Sequence, residues 1–97
     1  MRHAIILSPE AVEDLGQLKA NMRAGVRDAI ETHLRHAPTK VSKSRFKRLR
    51  GLKRPQYRLR IDDIRVYYDV IETNVEIIAI VSKSESGDWL ARVGEKE

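Results

Sequence analysis

Tyr57-Arg58-Leu59-Arg60-Ile61-Asp62-Asp63-Ile64-Arg65-Val66-Tyr67-Tyr68 is the stretch whose reading decides the fold. Side chains alternate with a period of two on both sides of Asp62-Asp63, the pattern of two strands joined by a tight turn. Counting outward from that turn sets Ile61 opposite Ile64, Arg60 opposite Arg65, Leu59 opposite Val66, Arg58 opposite Tyr67 and Tyr57 opposite Tyr68. One face then carries Tyr57, Leu59, Ile61, Ile64, Val66 and Tyr68 for burial. The other carries Arg58, Arg60, Arg65 and Tyr67. Like charges directly opposite on a sheet are destabilising, so Arg60 facing Arg65 asks for an explanation: an anion bound between them, or long side chains that splay into water with Asp69 and Glu76 as neighbours. Guanidinium groups grip phosphate in bidentate fashion, and a neighbouring tyrosine can stack on a base. Both arginines are expected to face solvent in the free protein.

Outward from the hairpin, the reading extends to a whole domain. A second turn near Thr73-Asn74 leads to Val75-Glu76-Ile77-Ile78-Ala79-Ile80-Val81, an apolar run that reads as a central strand. Upstream, Ala4-Ile5-Ile6-Leu7 reads as a short buried strand that stops at Ser8-Pro9-Glu10, a helix start with serine as cap and proline in the first turn. Ala11, Val12, Leu15 and Leu18 share a helical face; after a break near Asn21-Met22, so do Val26, Ala29, Ile30 and Leu34. The second helix stops before Pro38. A short helix is expected over residues 84–93, stopped at Gly94, with Glu95 and Glu97 as a solvated end. The expected fold is α+β, with a helical hairpin on one face of a small antiparallel sheet in the order β-α-α-β-β-β. Residues 1–97 form one domain.

Composition narrows the function. The chain has 97 residues, no cysteine and a formal charge of +5, which excludes a disulfide scaffold and any thiolate metal site or nucleophile. No apolar run approaches the ~20 residues of a membrane span, and no signal-peptide pattern opens the chain, so cytoplasmic residence is expected. The charge is segregated. Residues 1–37 are neutral, residues 69–97 are net −4, and residues 38–68 hold eleven basic and two acidic side chains, net +9. Lys40, Lys43, Arg45, Lys47, Arg48, Arg50, Lys53 and Arg54 form a block with no acid among them, which reads either as a solvated loop or as a surface for a polyanionic partner, nucleic acid or an acidic protein segment. Lys43, Arg45, Lys47, Arg48, Arg50, Lys53, Arg54 and Tyr67 are the expected RNA-binding residues. His33 and His36 lie three apart on a helix and read as solvated histidines rather than metal ligands.

Ile6-Leu7-Ser8-Pro9-Glu10-Ala11, Lys47-Arg48-Leu49-Arg50-Gly51-Leu52, Tyr57-Arg58-Leu59-Arg60 and Ile64-Arg65-Val66-Tyr67-Tyr68, in this order and spacing, resemble the RelE/ParE superfamily of type II toxins. In the RelE branch the resemblance implies a ribosome-dependent messenger RNA endoribonuclease that inhibits translation, held inactive by a cognate antitoxin, with no metal, cofactor or membrane. In the ParE branch it implies a DNA gyrase inhibitor; a third reading is a degenerate toxin that only binds RNA or its antitoxin. The RelE strand basics fall on Arg58 and Arg60, and its transition-state arginine falls on Arg65. Its general-acid arginine falls near Ser84, beside Lys83, and its stacking tyrosine near Leu90, beside Trp89. Arg60 stands where the family can use a lysine as base, and an arginine does not deprotonate in proteins. Glu85 is therefore taken as the candidate base and Lys83 as the candidate acid.

Overall fold

A computed structural model of the chain describes residues 2–42 and 45–97. Its elements are β1 (Ala4–Leu7), α1 (Pro9–Gln17), α2 (Ala20–Ala29, continuing as a π turn over Ile30–Leu34), β2 (Phe46–Arg48), β3 (Leu52–Arg54), β4 (Tyr57–Ile61), β5 (Ile64–Ile71), β6 (Asn74–Ser82), α3 (Lys83–Val93) and β7 (Glu95–Lys96). Five strands form one sheet in the order β1-β6-β5-β4-β2, and β3 pairs with β7 in a separate ribbon.

The α+β class and the helices on one sheet face are as the sequence implied. All five β4–β5 pairs fall in the register counted from Asp62-Asp63. Asp62 takes the left-handed backbone conformation that aspartate tolerates in a turn. Ala11, Leu15, Val26, Ile30 and Leu34 from the helices close on Leu59, Ile64, Val66, Tyr68, Val75, Ile77 and Ile80 from the sheet.

Four expectations are corrected. The sheet is mixed rather than antiparallel, because β1 runs parallel to β6; α1 and α2 carry the chain back across the sheet before the meander starts. The basic block is not a loop: Phe46–Arg48 pairs antiparallel with β4, and Leu52–Arg54 pairs with the C-terminal tail. The tail is thus strand rather than solvated end. Gly94 permits the turn into it, since a Cβ there would lie 2.6 Å from the Leu90 carbonyl oxygen. The helix break lies at Leu18-Lys19, both extended, where Arg23 donates to the Leu15, Gly16 and Leu18 carbonyls.

β6 carries an irregularity that its sequence hides. Tyr67 pairs with Ala79 but Tyr68 pairs with Ile77, so Ile78 is an extra residue in the ladder. This bulge rephases the strand, letting Ile77 and Ile80 both face the helices although they are three apart. Beyond the end of β1, α1 closes the exposed edge of β6 with side chains. Ser8 caps α1 by accepting from the Ala11 N–H at 3.1 Å and donates to the Ile78 carbonyl at 2.8 Å. The Asp14 carboxylate accepts from the Ile80 N–H at 3.0 Å.

Burial raises the Asp14 pKa above its usual 3.8, the Ile80 N–H pulls it down, and Glu10, Glu13 and Glu85 push it up again. A carboxyl raised on folding contributes stability that is greatest below its unfolded value and is lost as pH rises through the folded one. Asp14→Asn keeps an acceptor for Ile80 without the charge. We expect it to match or exceed the parent in urea melts at neutral pH, with the difference shrinking on acidification. Asp14→Ala strands the Ile80 N–H and should cost about 1–2 kcal/mol in the same melts.

Candidate nucleic-acid interface

The second face of the sheet is where the charge collects. Cross-strand pairing puts Lys47, Arg58, Tyr67 and Ala79 in one row, and Arg60, Arg65 and Val81 in the next. Lys47 therefore stands on the sheet beside Arg58 rather than in a loop, a placement that needed the β2–β4 register. The structure brings Arg58, Arg60, Arg65 and Lys47 onto one surface.

Each arginine meets a different environment. Arg60 is exposed. Arg65 is only 6% exposed, and its Nη1 donates to the Asp62 carbonyl at 2.8 Å and the Ile64 carbonyl at 3.1 Å. The expectation that Arg65 faces solvent is corrected: the turn holds its guanidinium down on the sheet. Arg58 is half-buried, and its Nε has no hydrogen-bond partner among the described residues. Burial, then the positive charges of Arg65 and Arg60, lower its pKa against an opposing pull from Tyr67. It nevertheless stays charged at any physiological pH. A half-buried cation with a free donor among like charges has the chemistry to accept an anion.

α3 roofs part of this face. Trp89 stacks on Tyr67 with ring centroids 4.8 Å apart and planes 16° from parallel, and its indole N–H reaches the Glu10 carboxylate at 3.0 Å. Tyr67 is 2% exposed, so it has no ring face to offer a base. The expected stacking role of Tyr67 is corrected, because Trp89 already occupies that surface. A signal was present in the sequence: an isolated tryptophan in an amphipathic tail helix needs an aromatic or apolar seat, and Tyr67 is the large side chain on the outer face.

The remaining residues divide. Lys83 opens α3 beside the β4–β5 turn, its backbone N–H donating to the Asp63 carbonyl at 2.7 Å, and it lines a shallow cleft with Asp63, Ser82 and Ser84. Glu85 accepts from the Ser82 hydroxyl at 2.8 Å and lies close enough to Asp14 to raise that carboxyl's pKa. Arg54 is exposed but engaged within the protein: its Nε donates to the buried Asp69 carboxylate at 2.7 Å, and Asp69 also accepts from the Gln56 N–H. Arg48 donates to the Gln56 carbonyl and lies over the Tyr57 ring. Arg50 and Lys53 are exposed. Arg45 reaches the His33 imidazole at 3.2 Å, and Lys43 lies outside the described residues. His33 is half-buried against the edge of Phe46 rather than solvated.

Comparison with known proteins places this arrangement in a family. A family model described as the ParE toxin of the parDE type II toxin–antitoxin system matches residues 5–87. The chain belongs to this family of toxins. Among curated protein sequences none matches it. Its fold is similar to that of a chain of the RelBE2 toxin–antitoxin complex from Mycobacterium tuberculosis, at 22% identity and TM-score 0.70, covering 84% of this chain and 92% of that one. It is also similar to a chain of the RelB–RelE complex from Methanococcus jannaschii, at 15% identity and TM-score 0.66, covering 87% and 96%. A third likeness is to a double arginine-to-alanine mutant of Escherichia coli RelE in the free state, at 16% identity and TM-score 0.58, covering 96% and 99%.

Arg58 gives this site a measurable stability trade. Arg58→Met keeps the aliphatic stem and removes the unpartnered guanidinium. We expect the free protein to gain about 0.5–1 kcal/mol in denaturant melts, the low end for an unsatisfied donor because part of the side chain still reaches water. Affinity for a short RNA should fall in the same variant. A loss of stability would mark Arg58 as a structural residue.

Proposed function

We propose that this toxin is a RelE-like endoribonuclease that cuts messenger RNA on the ribosome and is neutralised by a cognate antitoxin. The observation that carries this reading is the outer face itself, where Arg58, Arg60 and Arg65 converge and the Arg58 Nε is left unpartnered. In such a cleavage the ribose 2′ oxygen attacks the adjacent phosphorus and the 5′ oxygen leaves. The phosphate gains negative charge as it becomes five-coordinate, and fixed guanidinium donors stabilise that charge more than the ground state. Arg65, tied to the turn carbonyls, is the rigid member of the clamp; Arg60 is free to close on the substrate. Lys83 serves as the proposed acid for the leaving oxygen. Glu85, the proposed base, must leave Ser82 to reach the substrate. Lys47, Arg50 and Lys53 remain free for RNA backbone, whereas Arg45, Arg48 and Arg54 must first give up contacts within the protein.

Two observations favour a second reading, a ParE-like gyrase inhibitor with no catalysis of its own. The matching family model is that of the ParE toxins, and the cationic cluster has no proton acceptor within it among the described residues. Induction without a partner separates the two. We expect growth arrest with cuts inside translated messages mapped by primer extension, and little cleavage of ribosome-free RNA. Loss of plasmid supercoiling with intact messages would select the gyrase reading instead. Co-expression with the product of an adjacent open reading frame should restore growth, and the two proteins should co-purify.

A further inference from the structure

A groove of about 440 Å³ lies between the end of α2 and the approach to β2, lined among others by His33, His36, Lys40, Arg45 and Phe46. Its charged and titratable lining is basic: two histidines, a lysine and an arginine, with no carboxylate. On the other side of the His33–Arg45 contact is a second groove of about 240 Å³, which reaches Arg60 and Asp62 at the end of β4. The His33–Arg45 pair is thus the shared wall of a basic track that starts at Arg60. The Arg60 N–H donates to the Arg45 carbonyl at 2.8 Å, so the two residues are fixed side by side just before β2 begins.

The pair itself is chemically unusual. A guanidinium can only donate, so the His33 Nε2 must accept from Arg45 and the imidazole must be neutral with its proton on Nδ1. Burial, followed by the charges of Arg45 and Lys40, lowers the His33 pKa. Charged groups meet His33 from each neighbouring element: Lys40 and Arg45 on the way into β2, Arg60 from the end of β4, Asp62 from the turn after it, and His36 from its own turn. The nearby Glu31 is engaged by Arg35. Asp62 is the lone carboxylate on the track, and Arg45 has no carboxylate partner among the described residues.

We propose that His33, Lys40 and Arg45 form a second phosphate subsite, which takes the backbone of a single-stranded RNA continuing past Arg60 and which His33 tightens by gaining a proton. This rests on the reading of the Arg58, Arg60 and Arg65 face as the scissile-phosphate site. An anion in the groove would draw Arg45 off the imidazole and supply the negative charge that the protonated form lacks. Binding and protonation are therefore linked, with each favouring the other.

The test uses the full chain and an uncleavable RNA octamer carrying 2′-O-methyl groups. We expect Arg45→Gln to weaken binding about threefold and to lower the log–log salt slope by about 0.7, one single-strand phosphate contact. Wild-type binding should be tighter at pH 5.5 than at pH 8, and His33→Asn should remove most of that difference. In the wild-type protein, where no substitution can disturb the fold, the His33 imidazole resonances should titrate about one pH unit higher with the octamer bound. Arg58→Gln separates this inference from the functional reading. If it weakens binding while Arg45→Gln changes neither affinity nor slope, the subsite is wrong and the functional reading stands. If only Arg45→Gln has an effect, the groove is a site and the scissile-face reading falls. An unmoved His33 titration overturns the subsite, and a glutamate hexapeptide that raises it as far as the octamer does would assign the groove to a protein segment instead.

Discussion

The pairing of β4 with β5 is the constraint on which the rest of the molecule depends. A slip of one residue would turn one of these strands over relative to the other, sending either Arg58 and Arg60 or Arg65 toward the helices and, with them, either Leu59 or Val66 and Tyr68 toward water. The apolar face resists that slip through burial. Leu59, Val66 and Tyr68 are fully buried, and at roughly 1.5–3 kcal/mol for each such side chain the helix-facing register has no near competitor. Tyr68 adds a polar lock, its hydroxyl donating to the Pro38 carbonyl at 2.7 Å. The arginines are held together on one face by hydrophobic burial on the other.

That arrangement lets the second face be unfavourable on its own account. Arg60 opposite Arg65 and the partnerless Arg58 Nε are local conflicts, of the kind that persist where the surrounding structure over-determines them. The compensation lies close by. Turn carbonyls receive the Arg65 guanidinium, and the Trp89–Tyr67 stack buries aromatic surface next to the charge. α3 is in turn fixed at both ends: the backbone of Lys83 bonds the β4–β5 turn, and β7 pairs with β3. The C-terminal quarter of the chain therefore serves the cationic face rather than the main core.

What the sequence made legible follows from how local each signal was. The β4–β5 hairpin needs only its own twelve residues, and its alternation is unbroken. The serine cap and the proline of α1 are equally local. By contrast, the strands within residues 46–54 pair with partners that are not their neighbours in the chain: β2 with β4 across β3, and β3 with a tail some forty residues on. In a basic stretch without strict alternation, nothing announces such partners. The bulge at Ile78 is invisible for another reason. Every position from Ile77 to Val81 is apolar, so a change of phase leaves no trace in the pattern. The cationic residues of the site were legible because the hairpin placed them. Tyr67 was misread because its cover arrives 22 positions later.

The geometry also bears on how binding and chemistry divide in the proposed reaction. Lys47, Arg58, Arg60 and Arg65 are all cations with no lone pair to offer at neutral pH, so the cluster can hold phosphate and stabilise added charge but cannot remove a proton. Nor can Tyr67 act as a base in place, because its ring is sealed under Trp89. In the proposed reaction, a free chain of this design would hold RNA backbone without cutting it. The missing proton acceptor must then come from Glu85 released from Ser82, or from the surface on which the message is presented. In the second case dependence on the ribosome is a property of the residue set. The ribosome would align the 2′ oxygen with the phosphorus and relieve the protein of the proton. A face built only from cations would then suffice, because its remaining task is to favour the more highly charged of two phosphate geometries.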